Sequence, residues 1–383
     1  MARARWTGSP PSELLLVALF TPDAGPKAWR AWTDDADRYG CDSESARLLA
    51  LAYRRRHRFG VDDDEPWVAR AADRYRATWA RNHTLLRAAS VAADSLHRDG
   101  IPVMALKGAA LVDRYYGDVG ARPMLDVDLL VPAGQWPRAI EVLRSAGYAA
   151  RSEPAVDFPY HAVELIDPAG REIDLHRSLF RDPMGDRDEG GRWQRSTPGT
   201  LAGSAVRDGH RADLLLHVIH HGTHRFRGGS VRWVPDALAI LGAGDLDHDV
   251  FVELAAAEGL GPPAAAALDY LRALAGIEVD TRLLRRLRAL DASWVTRRSF
   301  RAAPASGRWD VSRRMPAGIH TLAALIEQRG PRAGVVVARR MIRRSHGTAR
   351  TWVRFRWRRW AGSPSPKVGD ASIRRALGGG VGP

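Results

Sequence analysis

The sequence predicts an α+β fold, a small mixed-sheet core flanked by N- and C-terminal helical regions. Three observations carry this. Helical periodicity dominates up to residue 98 and returns from residue 211. Between these limits lie short apolar runs with period-two alternation, Leu125-Asp126-Val127-Asp128-Leu129 and Glu172-Ile173-Asp174-Leu175-His176. Turn residues punctuate the same stretch, Lys107-Gly108 after its first apolar run and Asp167-Pro168-Ala169-Gly170 before its last.

In chain order, Ser12 suits the N-cap of a first helix reaching Phe20, and further helices are predicted over Ser43–Arg56 and Pro66–Arg98. In the last of these Val68, Ala71, Ala72, Tyr75, Trp79, Leu85 and Leu86 recur at helical spacing. Residues 1–98 therefore read as a helical region that covers one side of the sheet. Ile101–Leu106 reads as the first strand, Gly108–Tyr116 as a short helix, Gly117–Pro123 as a loop and Met124–Val131 as the central strand. Trp136–Ser145 is amphipathic, with Pro137 suited to a first helical turn. Tyr160–Ile166 and Arg171–His176 form a hairpin, which completes a core over residues 99–182. Pro183–Ser204, rich in Gly, Asp and Arg, reads as a connector at the head of a C-terminal helical region over 183–292. Its helices fall at Ala212–Thr223, Val234–Leu241, Val250–Glu258, Pro263–Leu274 and Arg282–Leu290. Residues 293–383 are an arginine-rich segment ending in a tail, Gly362–Pro383, whose Ser, Pro and Gly predict disorder.

Composition narrows the function classes. A formal charge of +14 favours anionic partners. No apolar run approaches the roughly 20 residues of a membrane span, which excludes a transmembrane helix. The lone Cys41 excludes an intrachain disulfide and fits a reducing, cytoplasmic setting. Among 58 basic residues only Lys27, Lys107 and Lys367 are lysine, so Lys107 beside Gly108 stands out. A compact point charge beside a phosphate is what lysine supplies and arginine does not.

The carboxylates suggest metal chemistry. On a strand Asp126 and Asp128 share one face while Val127 and Leu129 share the other. Paired like charges in an apolar run are unfavourable unless a cation lies between them, and oxygen donors of this kind suit Mg²⁺ or Mn²⁺. Asp174, with Glu172 and His176 on its face, adds a third carboxylate. Upstream, Lys107-Gly108 opens a helix whose N-terminus suits an anion. The order of cradle, Asp-x-Asp and then a lone Asp is a layout for two-metal phosphoryl or nucleotidyl transfer.

Lys107-Gly108, Arg122, the Asp126/Asp128 pair and Glu172 to His176 together resemble the polymerase-β-type nucleotidyltransferase superfamily, over roughly residues 65 to 275. More narrowly they resemble its bacterial branch of nucleotidyltransferase family proteins. The chain departs from the superfamily's Gly-Gly or Gly-Ser by having Lys107-Gly108, with a longer gap to Asp126. The resemblance implies transfer of a nucleoside monophosphate from an NTP to an acceptor: a small molecule, a protein or an RNA. Asp126 and Asp128 would hold the ion on the triphosphate and, with Asp174, a second ion about 3.5–4 Å away.

Around this centre several roles stay open. Lys107 either contacts the β- or γ-phosphate or is a solvated charge at a helix start. Arg122 either clamps phosphate or braces the aspartates. His176 either touches substrate or hydrogen-bonds an aspartate. His217, His220, His221 and His224 share one helix face, a spacing that can bind zinc. The resemblance instead implies a helix facing the nucleotide cleft, with His221 and His224 the nucleotide-binding candidates. Asp236 either orients one of them or caps its own helix. Arg329–Arg359 interleaves eleven arginines with Trp352, Phe355, Trp357 and aliphatic residues. It reads as a contact for nucleic acid or an anionic membrane surface, or as a solvated face. The alternative function is a non-catalytic nucleotide- or nucleic-acid-binding protein anchored by this segment.

Overall fold

The alternating runs at residues 125–129 and 172–176 become neighbouring strands at the centre of the sheet. The computed structural model describes residues 10–21, 23–151, 161–180, 189–223 and 231–291, all within one compact unit, Met1–Ala324. Among these residues seven strands form one mixed sheet in the order β3-β4-β5-β2-β1-β7-β6. The strands are β1 (Met104–Leu106), β2 (Val127–Leu130), β3 (Ala149–Ala150), β4 (Ala162–Ile166), β5 (Glu172–His176), β6 (Thr197–Leu201) and β7 (Ser204–Asp208). Strand β2 runs antiparallel to β1 and parallel to β5, with Asp128 opposite Asp174 and Leu130 opposite His176.

Alternation sorts the two faces. Val127, Leu129, Ile173 and Leu175 pack into a core with Leu85, Ala89, Ala93 and Leu96 of one long helix and Ile140 and Leu143 of another. These helices are the fifth and seventh of the chain, α5 (Pro66–Arg98) and α7 (Trp136–Ser145), both with the predicted bounds. Thirty-three residues give α5 a length of about 50 Å, and Pro66 begins it where its missing N–H leaves no bond unmade. The opposite sheet face carries Asp128, Asp174 and His176, while Met104, Leu106 and Leu130 join the larger, helical core.

That core includes the preceding helices, α1 (Pro10–Phe20), α2 (Gly25–Tyr39), α3 (Ser43–Ala46) and α4 (Leu49–Arg54). Trp29 stacks on Phe59 at 4.4 Å and Trp32 meets Trp67 edge-on at 4.9 Å, which ties these helices to the start of α5. The predicted helix over Ser43–Arg56 is broken into α3, α4 and a 3₁₀ turn at Arg56–Phe59. Ser12 lies inside α1, fully buried, rather than at its cap.

Two further corrections bear on the site. The central strand begins at Val127, not Met124, so Asp126 lies in a bend before β2 rather than on the strand. Residues 183–204 are more than a connector. They contribute α8 (Glu189–Arg195), β6 and the first residue of β7, and β7 pairs parallel to β1, with Arg207 N–H donating to Val103 O at 2.7 Å.

The chain between β1 and β2 starts with α6 (Lys107–Leu111) and returns through a loop fixed by α5. Asn82, fully buried, donates to Val119 O at 2.6 Å and Arg122 O at 2.8 Å and accepts from Met124 N–H at 3.2 Å. The C-terminal helices α9 (Arg211–Thr223), α10 (Trp233–Gly242), α11 (His248–Ala257), α12 (Gly261–Ala275) and α13 (Thr281–Ala289) appear within one or two residues of expectation. Helices α9 and α10 touch at Gly222, where a Cβ would stand 2.1 Å from that of Trp233. Gly222→Ala is expected to destabilise the fold by about 1–3 kcal/mol, a fall of several degrees in a thermal melt. An unchanged melting temperature would show that the two helices are free to separate.

Candidate active site

The site lies where the two ends of the α6 excursion meet β5. Lys107, the residue at which β1 gives way to α6, has φ of 44°, a left-handed conformation rarely adopted by residues with side chains. This backbone places its ammonium against Asp128 Oδ1. Holding a side-chain residue there costs of order 1 kcal/mol and persists only where its surroundings fix it. Gly108 lines the cleft and is also tightly packed. A Cβ there would stand 2.5 Å from both Arg122 Nη1 and Met124 Sδ. Helix α6 spans five residues, little more than one turn, so it offers little dipole to an anion.

Asp128 is buried at 3 % exposure and accepts from two donors on the same oxygen, the Lys107 ammonium and His176 Nε2 at 3.0 Å. Burial opposes its ionisation, but Lys107 and His176 outweigh burial and hold the carboxyl well below its ordinary range. An ionised carboxylate only accepts, so His176 carries its proton on Nε2. Burial keeps His176 below the usual imidazole range, although Asp128 pulls the other way.

Asp174 sits beside this pair with the opposite behaviour. Burial first, then Asp128 and Asp126, push its carboxyl up to about 7. Asp128, Asp174 and His176 each offer a donor atom within 4.8 Å of the others, and among the described residues this is the one such set of three or more. Asp126 is outside the set, yet near enough to be felt at Asp174. Glu172, at the far end of β5, is engaged by Arg151.

Of this cluster Asp128 lines a cleft between the sheet and helices α9 and α10, together with Lys107, Gly108, Arg122, Asp126, His217, His221, Arg232 and Asp236 among others; Asp174 and His176 are not among the lining residues. Arg122 is tied down there: Nε and Nη2 donate to Asp236 Oδ1 and Oδ2 at 2.6 and 2.8 Å. Tyr116 also donates to Asp236, at 2.7 Å. Burial and then Asp236 hold that phenol well above its ordinary range. Asp236 thus binds Arg122 and Tyr116, neither orienting a cleft histidine nor capping α10.

His221 lines the cleft beside His217. His217 is buried and lies well below the imidazole range, through burial and the nearby Lys107. No zinc set forms on this helix among the described residues. His224 and Arg329–Arg359 lie outside the described residues. Arg232, just before α10, and Trp233 also face the cleft, although nothing in the sequence distinguished that arginine from the many others. No described helix is long and apolar enough to cross a membrane.

The donor chemistry fits a hard divalent ion: two neighbouring carboxylates, one buried and one half-buried, the second pushed up to about 7 by burial and by the charges of Asp128 and Asp126. Comparison with known proteins gives the family. No curated protein matches the chain. One similar solved structure is the antibiotic-resistance factor ANT(2'')-Ia, determined in solution, at 14% identity over 51% of this chain and 91% of that one, with a TM-score of 0.33. Another is an antigenic nucleotidyltransferase-like protein from Paracoccidioides brasiliensis, at 17% identity over 55% and 95%, with a TM-score of 0.34. The family described as uncharacterised nucleotidyltransferase matches residues 34–276, which span the sheet, the acidic cluster and both walls of the cleft, and the chain belongs to it.

Proposed function

We propose that the chain transfers a nucleoside monophosphate from an NTP to an acceptor hydroxyl, with Asp126, Asp128 and Asp174 as the acidic centre. The observation that carries this is the in-register placement of Asp128 against Asp174 on the cleft side of the sheet, beside Lys107. Asp128 and Asp174 would hold Mg²⁺ or Mn²⁺, with Asp126 completing a two-metal set at the cleft floor. Bound there, the ion neutralises triphosphate charge and favours attack at the α-phosphorus.

The chain's own groups do the rest. Asp174 positions the acceptor hydroxyl and takes its proton, as a carboxylate within hydrogen-bond reach of the attacking oxygen can. The acceptor oxygen bonds to the α-phosphorus as the bond to the bridging oxygen breaks, and pyrophosphate leaves. His176 holds Asp128 in place, Lys107 presents a point charge to the phosphates, and His221 lines the nucleotide's path. Arg122 and Asp236 fix the wall of the cleft. No observation among the described residues favours the non-catalytic binding reading.

The test is incubation with each labelled NTP, Mg²⁺ or Mn²⁺ and a cell extract. Label on an acceptor with matching pyrophosphate release is expected. Absence of both with all four nucleotides defeats the proposal.

Asp174 also predicts a pH dependence. The folded chain binds this proton more tightly than the unfolded one. Its contribution to stability is therefore complete below the ordinary value of 3.8 and is lost as pH rises through about 7. His176 and His217, lowered by burial, act in the opposite sense. The readout is thus the difference in melting temperature between wild type and Asp174→Asn, measured in chelator from pH 4 to 8. The variant should gain relative to wild type as pH rises. Parallel curves would show that Asp174 ionises normally.

A further inference from the structure

Three long cations line the cleft, and two of them are neutralised by the protein itself. Lys107 is held by Asp128 and Arg122 by both oxygens of Asp236. Arg232 is different. Among the described residues its one hydrogen bond is from Nη1 to Pro123 O at 3.2 Å, and no carboxylate there pairs with it. Burial and then the neighbouring Arg122 disfavour its charge, with partial relief from Asp236. A guanidinium stays charged regardless, so the fold retains a half-buried cation facing an open cleft. Such an arrangement is costly unless a ligand supplies the anion.

We propose that Arg232 receives the terminal phosphates of the triphosphate, its planar fork donating to the β- and γ-phosphate oxygens. The assignment rests on the nucleotidyltransferase reading above. The α-phosphorus must lie at the acidic cluster, where the acceptor attacks. Charge then develops on the departing pyrophosphate, and a cation on the α10 wall, outside the carboxylate cluster, stabilises it. Arginine suits this place because its fork matches phosphate geometry and it holds its proton when desolvated.

The test is equilibrium binding of inorganic tripolyphosphate, NTP and nucleoside monophosphate, with Mg²⁺, to the full chain and its variants. Arg232→Gln keeps a donor for the Pro123 carbonyl and removes the charge. It should weaken tripolyphosphate and NTP about ten- to a hundredfold while leaving the monophosphate within threefold. Arg232→Lys should lose less. If wild type binds NTP and the Gln variant binds it equally, or loses the monophosphate to the same extent, this proposal is overturned and the transferase reading survives. If wild type binds neither NTP nor tripolyphosphate, both fall. Should the Gln variant fail to melt cooperatively, the Lys variant decides. A loss of threefold or more confined to the polyphosphates supports the assignment, and no loss overturns it.

Discussion

Asp128→Asn should lower nucleotidyl transfer by on the order of a thousandfold or more while the chain still folds. The substitution keeps the volume of a side chain that is 3 % exposed and leaves one oxygen to accept from Lys107 and His176, but removes the charge and turns the other oxygen into a donor. That charge does two jobs. It anchors the Lys107 ammonium and His176 Nε2, and it makes Asp174 reluctant to ionise. Losing it leaves one carboxylate fewer for an ion and lets the Asp174 carboxyl fall back toward its ordinary range. Alanine is the less informative change at this position. It leaves Lys107 unpaired over a cavity, at a cost of about 3 kcal/mol, the low end for a broken buried pair, because the lysine side chain keeps 20% of its surface in water. Asp126→Ala, in the bend before β2, should abolish transfer with little change in stability. The measurement is pyrophosphate release together with a thermal melt. Turnover of Asp128→Asn within tenfold of wild type would remove Asp128 from the chemistry.

Much of this site was legible in the sequence, for a physical reason. Period-two alternation fixes which side chains of one strand share a face, so Asp128 and Asp174 could each be set opposite the apolar residues of their own strand, while the adjacency of the two strands needed the fold. Pro66 at one end and Gly100 just past the other bounded α5, and the Asp167-Pro168-Ala169-Gly170 turn set the register of β4 on β5. Strand β6 escaped notice because Pro198 and Gly199 read as breakers. It is the terminal strand in the sheet order, where a missing N–H need not break the ladder. Helix α2 was hidden by its charges, although Ala28, Trp29, Trp32, Thr33 and Ala36 form its buried stripe.

The partners of Arg122 were beyond reach for another reason. Its carboxylate lies 114 residues away on α10, and no local spacing encodes a contact of that range. Arg232 was camouflaged by composition. Where lysine is scarce a lysine draws attention, but one arginine among many does not.

Arg122→Met should destabilise the fold by about 3–5 kcal/mol, a fall in melting temperature on the order of 10 °C at this size. Arg122 and Asp236 are 8 % and 4 % exposed, so removing the guanidinium strands a carboxylate that water cannot reach and leaves it only the Tyr116 hydroxyl. The pair also joins the loop before β2 to helix α10, so it sets the spacing of the cleft as well as its stability. Replacing both partners by apolar residues, Arg122→Met with Asp236→Leu, should recover part of the lost stability, since a buried pair rarely outperforms a packed apolar one, less about 1–3 kcal/mol for the Tyr116 hydroxyl that loses its acceptor. The two variants together separate the roles open to Arg122. A brace predicts that the double variant melts above the single one and regains most of its NTP affinity. A phosphate clamp predicts the same recovery of stability with NTP affinity still lost, because methionine offers no donor. A single Arg122→Met variant that melts within 2 °C of wild type, about 1 kcal/mol or less, would mean that Asp236 finds other partners and that the wall is held elsewhere.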